Sequence, residues 1–220
     1  MRSLQNSGRD LLTEGLTVLR IETTEKVLDS LLLFIEELVL WNRKTNLIGT
    51  SDETEIITRH ILDSLTVYPL LKDRKGSILD IGAGAGFPSI PLAIVDETLS
   101  ICAVERRRKR ASFLRNAVLL LGTGNLTVLE CDARDVKGRF EIIMARGVGE
   151  LALLYELSKR LLKERSMIIA FKGKITEIEK EVSRLKGKQA ENEDYNLHIH
   201  KVKIPSLEEE ERNIVIIETR

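Results

Sequence analysis

Apolar residues recur every three or four positions across residues 24–41. Leu28, Leu31, Leu32, Ile35, Leu38 and Val39 fall on one face of a helix. Thr24 stands where an N-cap belongs. Residues 42–52 break the period, and a second helical stretch covers 53–68, where Pro69 is expected to stop it. Beyond Lys75 the texture changes. Short apolar runs at 77–81, 100–104, 126–129, 140–144 and 167–171 alternate with helical segments near 88–95, 106–121, 149–162 and 175–185. That alternation predicts parallel strands joined by right-handed helical crossovers. Two last strand-like runs, 196–204 and 213–219, have only a polar loop between them, so an antiparallel hairpin at the sheet edge is expected. The chain therefore reads as an α/β protein. A helical segment, 1–72, precedes a mostly parallel, seven-stranded domain, 73–220, with a terminal hairpin.

The loop after the first strand carries the densest chemical signal, Leu79-Asp80-Ile81-Gly82-Ala83-Gly84-Ala85-Gly86-Phe87-Pro88. Glycines after a strand let the backbone turn sharply and approach a ligand without a Cβ between them. The following helix, with Pro88 in its first turn, aims free N–H groups at that ligand. A dinucleotide fingerprint would need glycine where Phe87 stands. The alternating glycines, with Asp80 two residues before the first, suit S-adenosylmethionine, which lacks a pyrophosphate and carries an ammonium group for a carboxylate to hold. Glu105, at the end of the second strand, is placed to accept from both ribose hydroxyls, a feature that serves NAD equally well. Asp132 is placed to accept from an adenine amino group and Ala133 to offer its N–H, with Arg134 beside them; a solvated loop is the plain alternative for Asp132 and Arg134.

Ligands of such sheets bind outside the carboxyl ends of the strands. The residues after the fourth strand, Ala145-Arg146-Gly147-Val148-Gly149, lack an Asn/Asp-Pro-Pro-aromatic motif for exocyclic amines, and neither cysteine is placed to attack a pyrimidine. Arg146 remains, able to hold a phosphate, a guanine edge or the cofactor carboxylate, or else to pair with Glu150. A ring nitrogen such as guanine N7 loses no proton on methylation, so a site without an evident general base fits it. Arg106, Arg107, Arg108, Lys109 and Arg110 open the next predicted helix against its macrodipole, at ~0.3–1 kcal/mol each; they read as a phosphate-docking cluster or a solvated charged face. In the amino-terminal segment Arg59 and Asp63 form an expected i, i+4 pair, and Asn46, His60 and Asp63 are candidates for a rim over the reacting group.

Composition narrows the partners. Lys plus Arg and Asp plus Glu both number 34, so bulk charge does not coat nucleic acid, while a local basic patch stays open. Cys102 and Cys131 form no CxxC pair, and no metal site is expected, including at His198 and His200. The apolar stretch 31–41 is too short for a bilayer and carries Glu36 and Glu37. A soluble, cytoplasmic monomer is expected.

WNRKTNL, RHILDSL, LDIGAGAGFPSIPLAI, VERRRKRASFLR and ARGVGEL, in this order, resemble the bacterial 16S ribosomal RNA guanine-N7 methyltransferases, once called glucose-inhibited division protein B. The resemblance runs from about Leu28 to the carboxyl terminus. It implies a Rossmann-like class I methyltransferase that moves a methyl group from S-adenosylmethionine to N7 of one guanine in 16S ribosomal RNA or the small ribosomal subunit. It also implies cofactor contacts at Gly82, Phe87, Ala133, Arg134 and Arg146, beside the expected Asp80, Gly84, Gly86, Glu105 and Asp132. Arg146, His60 and Asp63 are the catalytic candidates. Arg43, Lys44, Asn46 and the cluster from Arg106 to Arg110 are the RNA-binding candidates. Ser89 and Ala83 depart from the glycine and threonine usual at those positions. Three alternatives stay open: a methyltransferase for small molecules or proteins, a dehydrogenase, and an RNA-binding module without catalysis.

Overall fold

In a computed structural model, which describes residues 2–74, 76–188 and 195–219, strand follows helix as the hydrophobic pattern requires. The strands are β1 (Ser77–Ile81), β2 (Ser100–Val104), β3 (Leu126–Leu129), β4 (Phe140–Arg146), β5 (Leu162–Lys172), β6 (Tyr195–Val202) and β7 (Arg212–Thr219). They form one sheet in the order β3-β2-β1-β4-β5-β7-β6. All neighbours are parallel except β7, which runs antiparallel to both β5 and β6. The expected terminal hairpin is present.

Period-two alternation sorts the strand residues onto two faces. Ile78, Ile101, Ile142, Met144, Met167, Ile169, Ile214 and Ile216 bury on one side. Leu79, Ile81, Val104, Ile143, Ala145, Ile168, Val215 and Ile217 bury on the other. The first face is covered by α6 (Ser89–Val95), α7 (Arg108–Leu121) and the amino-terminal helices. The second is covered by α8 (Leu151–Ser158) and α9 (Ile175–Lys188).

The amino-terminal helices share one apolar core with the sheet. α1 (Arg2–Val18) falls inside the helical segment expected over 1–72, although no periodic run had located it; it docks through Leu12 and Leu16. α2 (Glu25–Thr45) begins at the expected cap, with the Thr24 side chain accepting from the Val27 N–H, and runs four residues past Trp41. Asn42 is buried and ties down the following loop, donating to the Thr50 carbonyl at 2.9 Å and accepting from the Ile48 N–H at 3.0 Å.

The expected helix over 53–68 needs correction. α3 (Glu53–Ile56) passes into a π-helical segment, Ile57–Leu62, and then α4 (Asp63–Leu65). Pro69 does not end this helix; it lies in the first turn of α5 (Tyr68–Leu71), where its missing N–H costs nothing. β5 also starts earlier than its apolar run: Arg165 at φ 54° marks an irregular stretch, and the pairing with β4 jumps between Phe140 and Ile142.

Phe34 on α2 is wholly buried between the rings of Phe87 and Phe113, at centroid separations of 5.5 and 6.3 Å. It joins the helical layer to the glycine loop and to α7. Phe34→Ala is expected to lose about 3–5 kcal/mol of stability in urea unfolding, the usual loss for a buried phenyl. A loss below about 1 kcal/mol would show that the layers do not depend on this contact.

Candidate active site

Strand register builds the site. Ile81 of β1 pairs with Val104 of β2 and with Ala145 of β4. The next residues, Gly82, Glu105 and Arg146, therefore stand at one level of its carboxyl edge, Arg146 as the last residue of β4. The Gly82 and Ala83 N–H groups both donate to the Val104 carbonyl, at 2.9 and 3.1 Å, which folds the loop back over β2. Gly82, Gly84 and Gly86 have φ of 74°, 59° and 93°, a region that side chains rarely adopt. Above Gly84 the nearest atoms to an added Cβ are 3.7 Å away, one of them Nη1 of Arg110. A Cβ at Gly84 would therefore make only ordinary van der Waals contact.

Two buried carboxylates support this cradle. Glu105 accepts from the Gly84 N–H at 3.1 Å and from the Arg107 N–H at 2.7 Å. Asp80 has no exposed surface, so it lies beneath the loop and not in its mouth. The Ser89 hydroxyl donates to its Oδ2 at 2.5 Å, while Oδ1 has no partner. Ser89 thus holds this aspartate. Burial pushes the Asp80 carboxyl up to about 7, against the pull of Ser89.

Across the loop, Arg146 is held from four directions. It donates to Asp63 Oδ2 at 2.8 Å and to the Arg59 carbonyl at 2.6 Å. Both of its terminal nitrogens lie 3.3 Å from Nδ1 of His60. Its guanidinium sits over the Phe87 ring, 5.7 Å from the centroid. His60 stacks on that same ring at 5.0 Å and 23°. Burial, then the Arg146 charge, hold the His60 imidazole down at about 4. Burial raises the Asp63 carboxyl and lowers the Arg146 guanidinium, each opposed by the other's charge.

One expected ion pair, and one alternative pair, are not formed here. Arg59 does not pair with Asp63, because the π segment between them shifts the face each presents. Arg59 instead bonds Glu210 and, at 3.3 Å, Glu55. Arg146 does not pair with Glu150, whose partner is Arg184. Arg212 approaches Asp63 Oδ1 at 3.8 Å from the start of β7. Asp63, Arg146 and Arg212 line a cavity of about 250 Å³ with Val148, Phe171 and Asn213, at the carboxyl ends of β4 and β5.

On the far side of the glycine loop, Asp132 accepts from the Arg134 backbone and from its guanidinium, at 3.0 and 2.8 Å. Arg106 lies 3.9 Å from the same carboxylate. Arg160 donates to the carbonyls of Ala133, Arg134 and Val136, so it fixes this loop from α8's end. The sequence pattern singled out neither Arg160 nor Arg212, and it gave Ser89 and Val148 no role. Val148 sits between two glycines of positive φ, Gly147 and Gly149, and its Cγ2 would be 2.7 Å from a Cβ on Gly82. The alternating glycines of ARGVG were the signal for that bend.

The basic candidates come together. Asn116 of α7 bonds Glu37 of α2 at 2.7 Å, and Trp41 packs edge-on to Phe113 at 5.7 Å. The two helices therefore run antiparallel, and Arg43 and Lys44 arrive beside the first turn of α7. That turn holds Arg108, Lys109 and Arg110, with Arg107 as the N-cap and Arg106 just before it. Arg43, Lys44, Arg107, Arg108, Lys109 and Arg110 form no ion pair among the described residues. Asn46 is the exposed, left-handed C-cap of α2, with no side-chain bond to His60 or Asp63 among the described residues. No helix of the described residues is long and apolar enough to cross a membrane. No cluster of three or more His, Cys, Asp or Glu side chains suits a metal among them.

Sheet order, glycine cradle and strand-end site together define a Rossmann-like methyltransferase fold. The solved O-methyltransferase of Bacillus cereus in complex with SAH superposes with a TM-score of 0.59 at 16% identity, covering 85% of this chain and 90% of that one. The tRNA (m1A58) methyltransferase TrmI of Aquifex aeolicus gives 0.57 at 16% identity, over 84% and 76%. Sequence identifies the family within that fold: residues 27–215 match the family model of GidB, rRNA small subunit methyltransferase G. Ribosomal RNA small subunit methyltransferase G of Oceanobacillus iheyensis is 35% identical over 90% of this chain and 84% of its own. The Borrelia turicatae protein of that name is 35% identical over 79% and 84%. The chain belongs to the GidB family.

Asp80 supplies a pH signature. A carboxyl whose folded pKa exceeds its unfolded value binds more protons when folded, so stability falls as pH rises between the two values. For Asp80 that window runs from the ordinary 3.8 to about 7. Wild type is therefore expected to lose its advantage over Asp80→Asn between pH 5 and pH 7.5 in urea unfolding. Parallel stability curves over that range would contradict the buried, proton-holding carboxyl.

Proposed function

We propose that the protein transfers a methyl group from S-adenosylmethionine to N7 of a guanine in 16S ribosomal RNA, presented as RNA or as small ribosomal subunit. The observation that carries this reading is a glycine cradle over buried carboxylates, facing a strand-end site whose ionisable groups are already engaged. The working form is taken to be a cytoplasmic monomer.

The residues present suit the cofactor. Glu105 spends two of its roughly four lone-pair directions on backbone N–H groups, which leaves the others for ribose hydroxyls. With no Cβ at Gly84, a ligand can approach the bare backbone there, while Gly82 and Gly86 shape the bend. Asp80 supports that bend from beneath. Asp132, Ala133 and Arg134 edge the adenine side, while Phe87 and Arg146 close the methionine side. The bound cofactor supplies an activated methyl group on a cationic sulfur.

The chain's own groups then align the acceptor. Guanine N7 has a lone pair in the ring plane and loses no proton, so the site needs no general base. Alignment for in-line attack accounts for a large share of such rates. Arg146 cannot accept a proton, and Asp63 is held by that guanidinium. Both position rather than exchange protons. Arg43, Lys44 and the Arg106–Arg110 cluster dock RNA phosphates, with Asn46 at the rim. This local surface supplies what the zero net charge does not.

Mass mapping of 16S RNA from cells with and without the gene tests the assignment. One N7-methylguanosine is expected to disappear; an unchanged methylation map would refute it. Arg108→Ala combined with Lys109→Ala is expected to weaken RNA binding and lower the log–log salt slope by about 0.7 per lost contact. Adenosylhomocysteine affinity is expected to hold. An unchanged slope would remove these two residues from the docking surface.

A further inference from the structure

We propose that His60 reads the guanine: its Nε2–H donates to O6, the acceptor beside the methylated N7, and so selects guanine over adenine. The inference rests on the guanine-N7 assignment and gives it a specificity residue.

Two contacts fix the ring. Stacking on Phe87, at 5.0 Å and 23°, sets its plane. The Arg146 guanidinium, with two nitrogens 3.3 Å from Nδ1, sets which edge faces inward. A guanidinium only donates, so Nδ1 must accept, and the proton of a neutral imidazole stands on Nε2. Burial and the adjacent Arg146 charge keep the ring neutral at physiological pH, with its pKa down at about 4. Nε2 has no partner among the described residues, and it is not among the buried atoms left unsatisfied. It is therefore not fully enclosed. The structure thus presents one N–H donor of fixed direction beside the arginine that ends β4.

This arrangement excludes one role and fits another. A general base needs a free lone pair; Nδ1 spends its own on Arg146, and Nε2 has none. Recognition needs a fixed donor. On the edge that carries N7, guanine shows a second acceptor, O6, where adenine shows an amino donor. N7 must leave its lone pair to the methyl group, so O6 is the atom by which that edge can be read. A donor there matches guanine and opposes adenine.

A double-mutant cycle tests this. Small-subunit RNA carries either guanine or 2-aminopurine, which keeps N7 and lacks O6, at the mapped position. Methyl transfer is measured for wild type and for His60→Phe, which keeps the stack. Losing O6 is expected to lower wild-type kcat/KM roughly ten- to hundredfold, as one good base contact does. His60→Phe is expected to lose a similar factor on guanine and nothing further on 2-aminopurine. Losses that multiply would overturn the contact, as would a variant whose adenosylhomocysteine affinity falls in step with its activity. His60→Gln, whose amide can present an N–H in the same place, is expected to regain preference for guanine; equal rates on both bases would overturn the donor role. A wild type that labels no guanine N7 defeats the functional assignment itself. A wild type that labels N7 yet ignores the loss of O6 defeats only the role of His60.

Discussion

Arg146 is a cation drawn most of the way out of water, and the site is arranged to keep it there. Burying a charge costs several kcal/mol unless its bonds are replaced. Here Asp63, the Arg59 carbonyl, His60 Nδ1 and the face of Phe87 replace them. All but Phe87 come from the helix over 53–65, so one side chain at the end of β4 clamps the amino-terminal layer onto the sheet. The same contacts set the tautomer of His60 and the ring plane it shares with Phe87. Removing Asp63 would leave the guanidinium buried with only neutral partners.

The opposite wall depends on register. Because β1, β2 and β4 are parallel and in step, Gly82, Glu105 and Arg146 emerge together. Glu105 then stitches the loop to its own strand end through Gly84 and Arg107, and Ser89 holds Asp80 below. Side-chain-free backbone thus makes the turn, while carboxylates tie it to the strand ends. A cofactor seated there lies between rigid supports, and the 250 Å³ cavity beyond Arg146 opens on the side where β4 and β5 end.

Much of this was legible because it is local. Period-two runs located the strands, and alternating glycines with an acid at each flank located the cradle. Thr24 announced the start of α2. What failed was governed by distant partners. The Arg59–Asp63 spacing promised a pair, yet a π-helical segment and Arg146, more than eighty residues on, decided otherwise. Arg212 gave no signal, since only the insertion of β7 between β5 and β6 carries it to Asp63. Asp80 was marked by its spacing from the glycines, but the spacing gave no sign that the Ser89 hydroxyl would hold it. The basic runs were visible separately, but their meeting required the antiparallel packing of α2 on α7.

The account stands on an acceptor nitrogen that brings its own lone pair. Replacing the mapped guanine by 7-deazaguanine removes that nitrogen's lone pair and keeps the Watson–Crick edge and O6. Transfer of a radiolabelled methyl group from S-adenosylmethionine to the two RNAs, by the wild-type protein under single-turnover conditions, measures the point directly. Label on the guanine RNA and none on the 7-deaza RNA is the predicted result; equal labelling of both would contradict it.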